Sequence, residues 1–153
     1  MANTAIWNAA LSYSTALSTE LNSLSSGSTA VAATAIDNTT NLMTDGFVSV
    51  SLPTLATGTG TPYLSVYLLP LNQDGTTYGD GTASGTVAPG AAYFVGNITW
   101  APSLASGTQT GSVYIGQIPP TKFKLAVTNS IGNALAATGN IVAFASDKIN
   151  LNG

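Results

Sequence analysis

Between Thr4 and Leu24 the apolar positions Ile6, Ala10, Tyr13, Leu17, Leu21 and Leu24 recur every third or fourth residue, the spacing of one helical face. The opposing positions Ser12, Thr15, Ser18, Thr19 and Asn22 are middling helix formers with no i,i+4 charge pairs to support them. The pattern predicts an amphipathic helix that needs a docking surface, with an extended arm as the alternative. Ser25-Ser26-Gly27-Ser28 ends it. From there the period falls to two. Runs rich in Val, Ile, Thr, Tyr and Phe at 29–36, 47–52, 63–69, 92–100, 112–118, 122–128 and 140–146 are separated by Gly, Pro, Asn and Asp, the punctuation of strands and turns. The series predicts an all-β chain: an antiparallel β-sandwich or jelly roll over residues 28–153, preceded by the helix or arm of residues 1–27.

Alternation within the runs says which side faces the core. Leu64, Val66 and Leu68 oppose Tyr63, Ser65 and Tyr67, while Phe123, Leu125 and Val127 oppose Lys122, Lys124, Ala126 and Thr128. The first set of each is expected inside. Run 92–100 is apolar on both sides, with Phe94, Ile98 and Trp100 on one and Tyr93 and Val95 on the other, so a second cover is expected from the N-terminal segment or a neighbouring subunit. The longest connections are 56–62 and 71–90, the latter holding Asp74-Gly75 and Asp80-Gly81, and partner contacts are often made from loops of that length.

Charge changes the picture most. Only 6% of the 153 residues are charged, the net charge is −3, and 44% are hydrophobic, against about 25% charged residues in ordinary globular domains. Solubility must come from hydroxyls and amides, whereas a freely diffusing protein usually carries a dense, mixed-sign surface. The apolar content argues for folding rather than disorder. The basic residues are Lys122, Lys124 and Lys148, too few for a phosphate-tracking surface, so no direct nucleic-acid partner is expected. No run reaches bilayer-spanning length and Met1-Ala2-Asn3 does not open a secretory signal, so the chain is expected to be soluble, made in the cytoplasm and without a membrane partner. Asn38-Thr39-Thr40 and Asn97-Ile98-Thr99 match the glycosylation acceptor pattern and carry no functional weight in that setting.

Candidate chemistry is thin. With no His and no Cys, the usual nucleophile-base constellations and thiolate metal sites cannot be assembled, and no enzyme, cofactor or metal site is expected. The acids Glu20, Asp37, Asp45, Asp74, Asp80 and Asp147 fall mostly in turns, where Asp bonds its own backbone and Gly supplies positive φ. The loop at 71–90 holds several oxygen ligands but lacks the ordered calcium-loop pattern and its downstream Glu. Tyr63, Tyr67, Tyr78, Tyr93, Tyr114 and Trp100 could form a platform for sugar rings, although alternation puts most of them in core or interface.

In the C-terminal third, Lys122-Phe123-Lys124-Leu125-Ala126-Val127-Thr128-Asn129, the turn Ser130-Ile131-Gly132 and Ala137-Thr138-Gly139-Asn140-Ile141 resemble the strand-turn-strand endings of small virion proteins of tailed bacteriophages. The low charge and the Ala/Thr/Ser/Gly/Asn bias resemble that class too. The resemblance implies a capsid decoration or cement protein of the virion, commonly trimeric, whose partners are the major capsid protein and other virion proteins. It implies no catalytic residue. A tail or fibre component with a carbohydrate-binding sandwich is the alternative. On the virion reading Ile6, Trp7 and Leu11 would anchor the chain, with Tyr78 and Trp100 as further interface residues, because large aromatics dominate interfaces.

Overall fold

The computed structural model describes residues 4–6, 12–40, 42–55, 60–101, 107–147 and 150–152. Its strands are β1 (Thr4–Ile6), β2 (Ser14–Leu17), β3 (Thr29–Val31), β4 (Ile36–Asp37), β5 (Asp45–Leu52), β6 (Tyr63–Pro70), β7 (Phe94–Thr99), β8 (Gln109–Ile115), β9 (Lys122–Ser130), β10 (Ile141–Asp147) and β11 (Asn150–Asn152). Short turns of 3-10 helix stand at Thr19–Leu21 and Ala91–Tyr93.

The chain is all-β, and the helix expected over 4–24 is absent from its described residues. Ser14–Leu17 is a strand whose backbone bonds go to β10, with Leu17 opposite Val142 and Ser14 opposite Phe144. Leu17 and Leu21 do share one buried side, but a strand end followed by a 3-10 turn brings them there. Weak helix formers without charge pairs cannot hold a helix against an open ladder on β10.

One sheet has the order β2-β10-β5-β8; the other runs β3-β9-β6-β7, with β4 also on β9. Every pairing is antiparallel. The pairs are nested about the connection from Leu71 to Tyr93: β6 with β7, β5 with β8, β3 and β4 with β9, β2 with β10, and β1 with β11 outermost. The chain is thus one long hairpin rolled up so that β9 meets β6 and β10 meets β5, which is the jelly-roll topology.

Period two does what it predicts. In β5 the buried residues are Gly46, Val48, Val50 and Leu52, with Asp45, Phe47, Ser49 and Ser51 on the other side. Leu64, Val66, Leu68, Phe123, Leu125 and Val127 all face the core between the sheets. Phe123 of β9 meets Phe144 of β10 edge-on, with centroids 5.6 Å apart, and so ties one sheet to the other. The expected run 29–36 is interrupted after Val31, where the Ala33 amide donates to Glu20 Oε1 instead of to a strand.

The outer side of the β3-β9-β6-β7 sheet is buried too. Tyr67, Leu69 and Ala126 form a second apolar cluster with Val31, Tyr78 and Tyr93, and Phe94 meets Tyr67 edge-on at 5.7 Å. The cover is the chain's own 71–93 connection, which returns across the sheet and pairs Gly85 with Thr29.

At the seam where β7 approaches β8, both strands carry a glycine. A Cβ on Gly96 would lie 2.7 Å from Val113 Cγ2, and one on Gly111 would overlap the Ile98 side chain beside Trp100. Gly111→Val should therefore destabilise the fold by about 1–3 kcal/mol through overpacking, read in urea unfolding as a lower midpoint at unchanged m-value.

Candidate interaction surface

At one end of the sandwich three grooves adjoin at Gln117, and two of them also share Pro119. The largest, of ≈ 590 Å³, is lined by Leu42, Met43, Thr44, Gln117, Ile118, Pro119 and Pro120. The others run past Leu68, Pro70, Tyr93, Phe94 and Tyr114. Leu42 is 62% exposed, Phe94 46% and Tyr114 52%, so large apolar groups stand in water on a continuous surface.

Asn38 builds this end. Its side chain is buried, its Nδ2 donates to Met43 O at 3.0 Å and Pro119 O at 2.9 Å, and its Oδ1 accepts from Met43 N at 2.6 Å. One amide thus ties the β4–β5 connection to the segment before β9. Within that tie Leu42 takes φ +49°, a left-handed conformation that a branched side chain adopts at a cost, and the clamp holds it there with its side chain outward. Beside it, Phe47 and Tyr114 pack at 5.3 Å, and the Tyr114 hydroxyl donates to Asp45 Oδ2 at 2.7 Å. With its amide committed to these bonds, Asn38 offers no accessible acceptor for a glycan.

The sequence candidates do not converge here. Ile6 lies in β1 opposite Asn150, and Trp7 and Leu11 fall outside the described residues. Trp100 is 6% exposed, packed in the main core with its Nε1 donating to Thr110 O at 3.1 Å. Tyr78 is half-buried in the second cluster, with Lys124 Nζ 5.0 Å from its ring centroid. Both rings therefore hold sheets and loop together. Leu42 and the Pro119-Pro120 pair were the residues that sequence reasoning passed over. Their signal was the Leu42-Met43 pair in an otherwise polar stretch and a diproline before a strand.

The 71–93 connection is held by its acids. Asp74 Oδ1 accepts from the Thr76 and Thr77 amides, each at 2.9 Å, and Asp80 accepts from Thr82 and from the Gly90 amide at 2.6 Å. Hydrogen bonds from the Thr77 hydroxyl and amide, with that of Thr76, lower the Asp74 pKa from 3.8 to about 2. The Thr82 hydroxyl and the Gly90 amide lower that of Asp80 in the same way. These carboxylates are occupied by donors of their own loop, and no group of three or more metal-ligating side chains occurs among the described residues.

The sign of the pH effect follows from the depressed value. Asp74 contributes stability above its unfolded pKa near 3.8, and that contribution is lost as pH falls through about 2. Protection of the Thr76 and Thr77 amides, measured as exchange relative to the intrinsic rate at each pH, should hold on acidification to pH 3.8 and fall toward pH 2, a change that Asp74→Asn should erase. Unchanged protection across that range in the wild type would contradict the assignment.

Comparison of the chain with protein-family models, curated proteins and solved structures finds no match.

Proposed function

We propose that this chain is a non-enzymatic virion structural protein, a jelly-roll decoration or cement subunit that stabilises a bacteriophage shell by bridging its major capsid protein subunits. The observation that carries the reading is a nearly uncharged chain with an exposed apolar end held in place by Asn38. A surface with so few charges loses little hydration when covered, and its exposed Leu, Phe and Tyr groups gain from being covered. The phage-like residues at 122–141 and the jelly-roll topology, an architecture of viral capsid and lectin domains, support the same reading.

The mechanism is physical rather than chemical. A standard interface of roughly 1,200–2,000 Å² buries apolar area at about 25 cal/mol per Å². Set across the seam between neighbouring shell subunits, that burial opposes their separation. Repetition over a lattice, or trimerisation of the chain, adds avidity without new contacts. The N-terminal strand with Ile6, followed by Trp7 and Leu11, is the proposed second anchor.

The test is co-sedimentation of the purified chain with shells of the source phage stripped of it. Wild type should pellet with the shells, and the Leu42→Ser variant, altered at a side chain that is exposed in the free chain, should bind at least about tenfold more weakly, one lost side chain of about 1.5–3 kcal/mol, at an unchanged melting curve. Equal binding by both proteins, or none by wild type, contradicts the proposal.

A further inference from the structure

A second concavity lies away from the apolar end, on the outer side of the β3-β9-β6-β7 sheet. It is a groove of ≈ 340 Å³ between Val31, Ala32 and Ala33 on one bank and Thr76 to Ser84 of the returning connection on the other, with Lys124 at its side. Its floor and its rim differ in chemistry. Ala33 and Ala83 give small exposed apolar surfaces beside half-buried Val31, while the Ala32 side chain is buried in the core, and Thr76, Thr77, Tyr78, Thr82, Ser84 and Lys124 surround them with hydroxyls and one ammonium.

The rim has hydrogen-bonding capacity left over. Ser84 Oγ accepts from the Val31 amide at 2.9 Å, which leaves its own O–H to donate. Thr82 Oγ donates to Asp80, which leaves its lone pairs to accept. Lys124 Nζ lies 5.0 Å from the Tyr78 centroid and has no carboxylate within ion-pair reach among the described residues, so its N–H donors are uncommitted. The acids nearby, Asp74 and Asp80, are turned to their own loop, and Glu20 Oε1 is taken by the Ala33 amide at 3.2 Å.

The groove is also built before any ligand arrives. The Asp74 and Asp80 turns, the Asn72 Nδ2 bond to Gly79 O at 2.8 Å and the Thr29–Gly85 bridge fix the bank that carries the hydroxyls. A pre-set rim avoids the ordering cost that weakens binding by mobile loops.

We propose that this groove binds an uncharged sugar, with the C–H face of a pyranose on the alanines and its hydroxyls on Ser84, Thr82 and Lys124. Small apolar patches ringed by mixed donors and acceptors suit a ring that has one apolar face and an equatorial belt of hydroxyls, and the volume lies within the range of small-molecule sites, about 300–1,000 Å³. A neutral sugar is favoured over an acidic one because three carboxylates, Glu20, Asp74 and Asp80, are hydrogen-bonded to the groove residues Ala33, Thr76, Thr77 and Thr82, against the single ammonium of Lys124. The site is independent of whether the chain coats a shell.

The experiment is a titration of the full chain, followed by amide NMR, with D-glucose, D-galactose, D-mannose and N-acetyl-D-glucosamine, and with D-glucuronate as the charged arm. At least one neutral sugar should give saturable shifts confined to residues 31–33, 76–84 and 124. Ala83→Phe, which fills the groove and breaks none of the hydrogen bonds described, should abolish them, and Lys124→Met should weaken binding about tenfold, as loss of a charged hydrogen bond does. Absence of saturable shifts with all four neutral sugars, shifts with D-glucuronate alone, or shifts that persist in a folded Ala83→Phe protein would each overturn the proposal.

Discussion

The structure depends on nested antiparallel pairing about a single connection. Because β6 pairs with β7, β5 with β8, β3 and β4 with β9, and β2 with β10, each ring of the nest brings the next two chain segments together, out to β1 and β11 at the ends. Rolling this ribbon puts the inward residues of β5 and β10 against those of β6 and β9, with Phe123 and Phe144 meeting between the sheets. The long sequence separations make such a fold slow to form, and they make the innermost connection decisive. That connection is where Asp74 and Asp80 tie down their own backbone, and where Tyr78 and Tyr93 close the outer side of a sheet that would otherwise stand open. An open aromatic side there would have been an aggregation hazard.

A shortage of charge gives the molecule its second character. Apart from Asn140 Oδ1, the buried polar side chains of the described residues are satisfied by amides and hydroxyls: Asn38 binds the apolar end together, Asn129 donates to Leu24 O and Asn133 O at 2.8 Å each, and Thr29 and Thr128 share a 2.7 Å bond. The Lys122–Asp37 pair, 3.5 Å apart and half-exposed, is screened by solvent and adds little to stability. A surface made this way resists association weakly, and the proposed functions at the apolar end and in the hydroxyl-lined groove both follow from it. The first relies on apolar contact, the second on neutral hydrogen bonding.

Much of the sandwich was legible in the sequence because period two marks a half-buried strand whatever its partner. β5, β6, β9 and β10 stand within two residues of the runs that alternation picks out. The N-terminal strand was not legible, since Leu17 and Leu21 share a side by way of a 3-10 turn, and their spacing alone is also that of a helix. The cover over Tyr67 and Leu69 was not legible either, because alternation says that a side is apolar and not which distant segment lies on it. The same limit applies to the site. Trp100 and Tyr78 stood out by residue type, yet one is a core residue and the other packs under Lys124. Leu42 and Pro119 become a surface only through Asn38, whose bonds join parts of the chain far apart in sequence.

The central proposal is that this jelly roll is an assembly subunit whose sparsely charged surface is buried against its partners. It is tested most directly by quantitative mass spectrometry of purified virus particles from the source culture, with the copy number of this chain set against that of the major shell protein. The account predicts comparable abundance, as expected of a protein that coats the lattice. Absence of the chain from intact particles would contradict it.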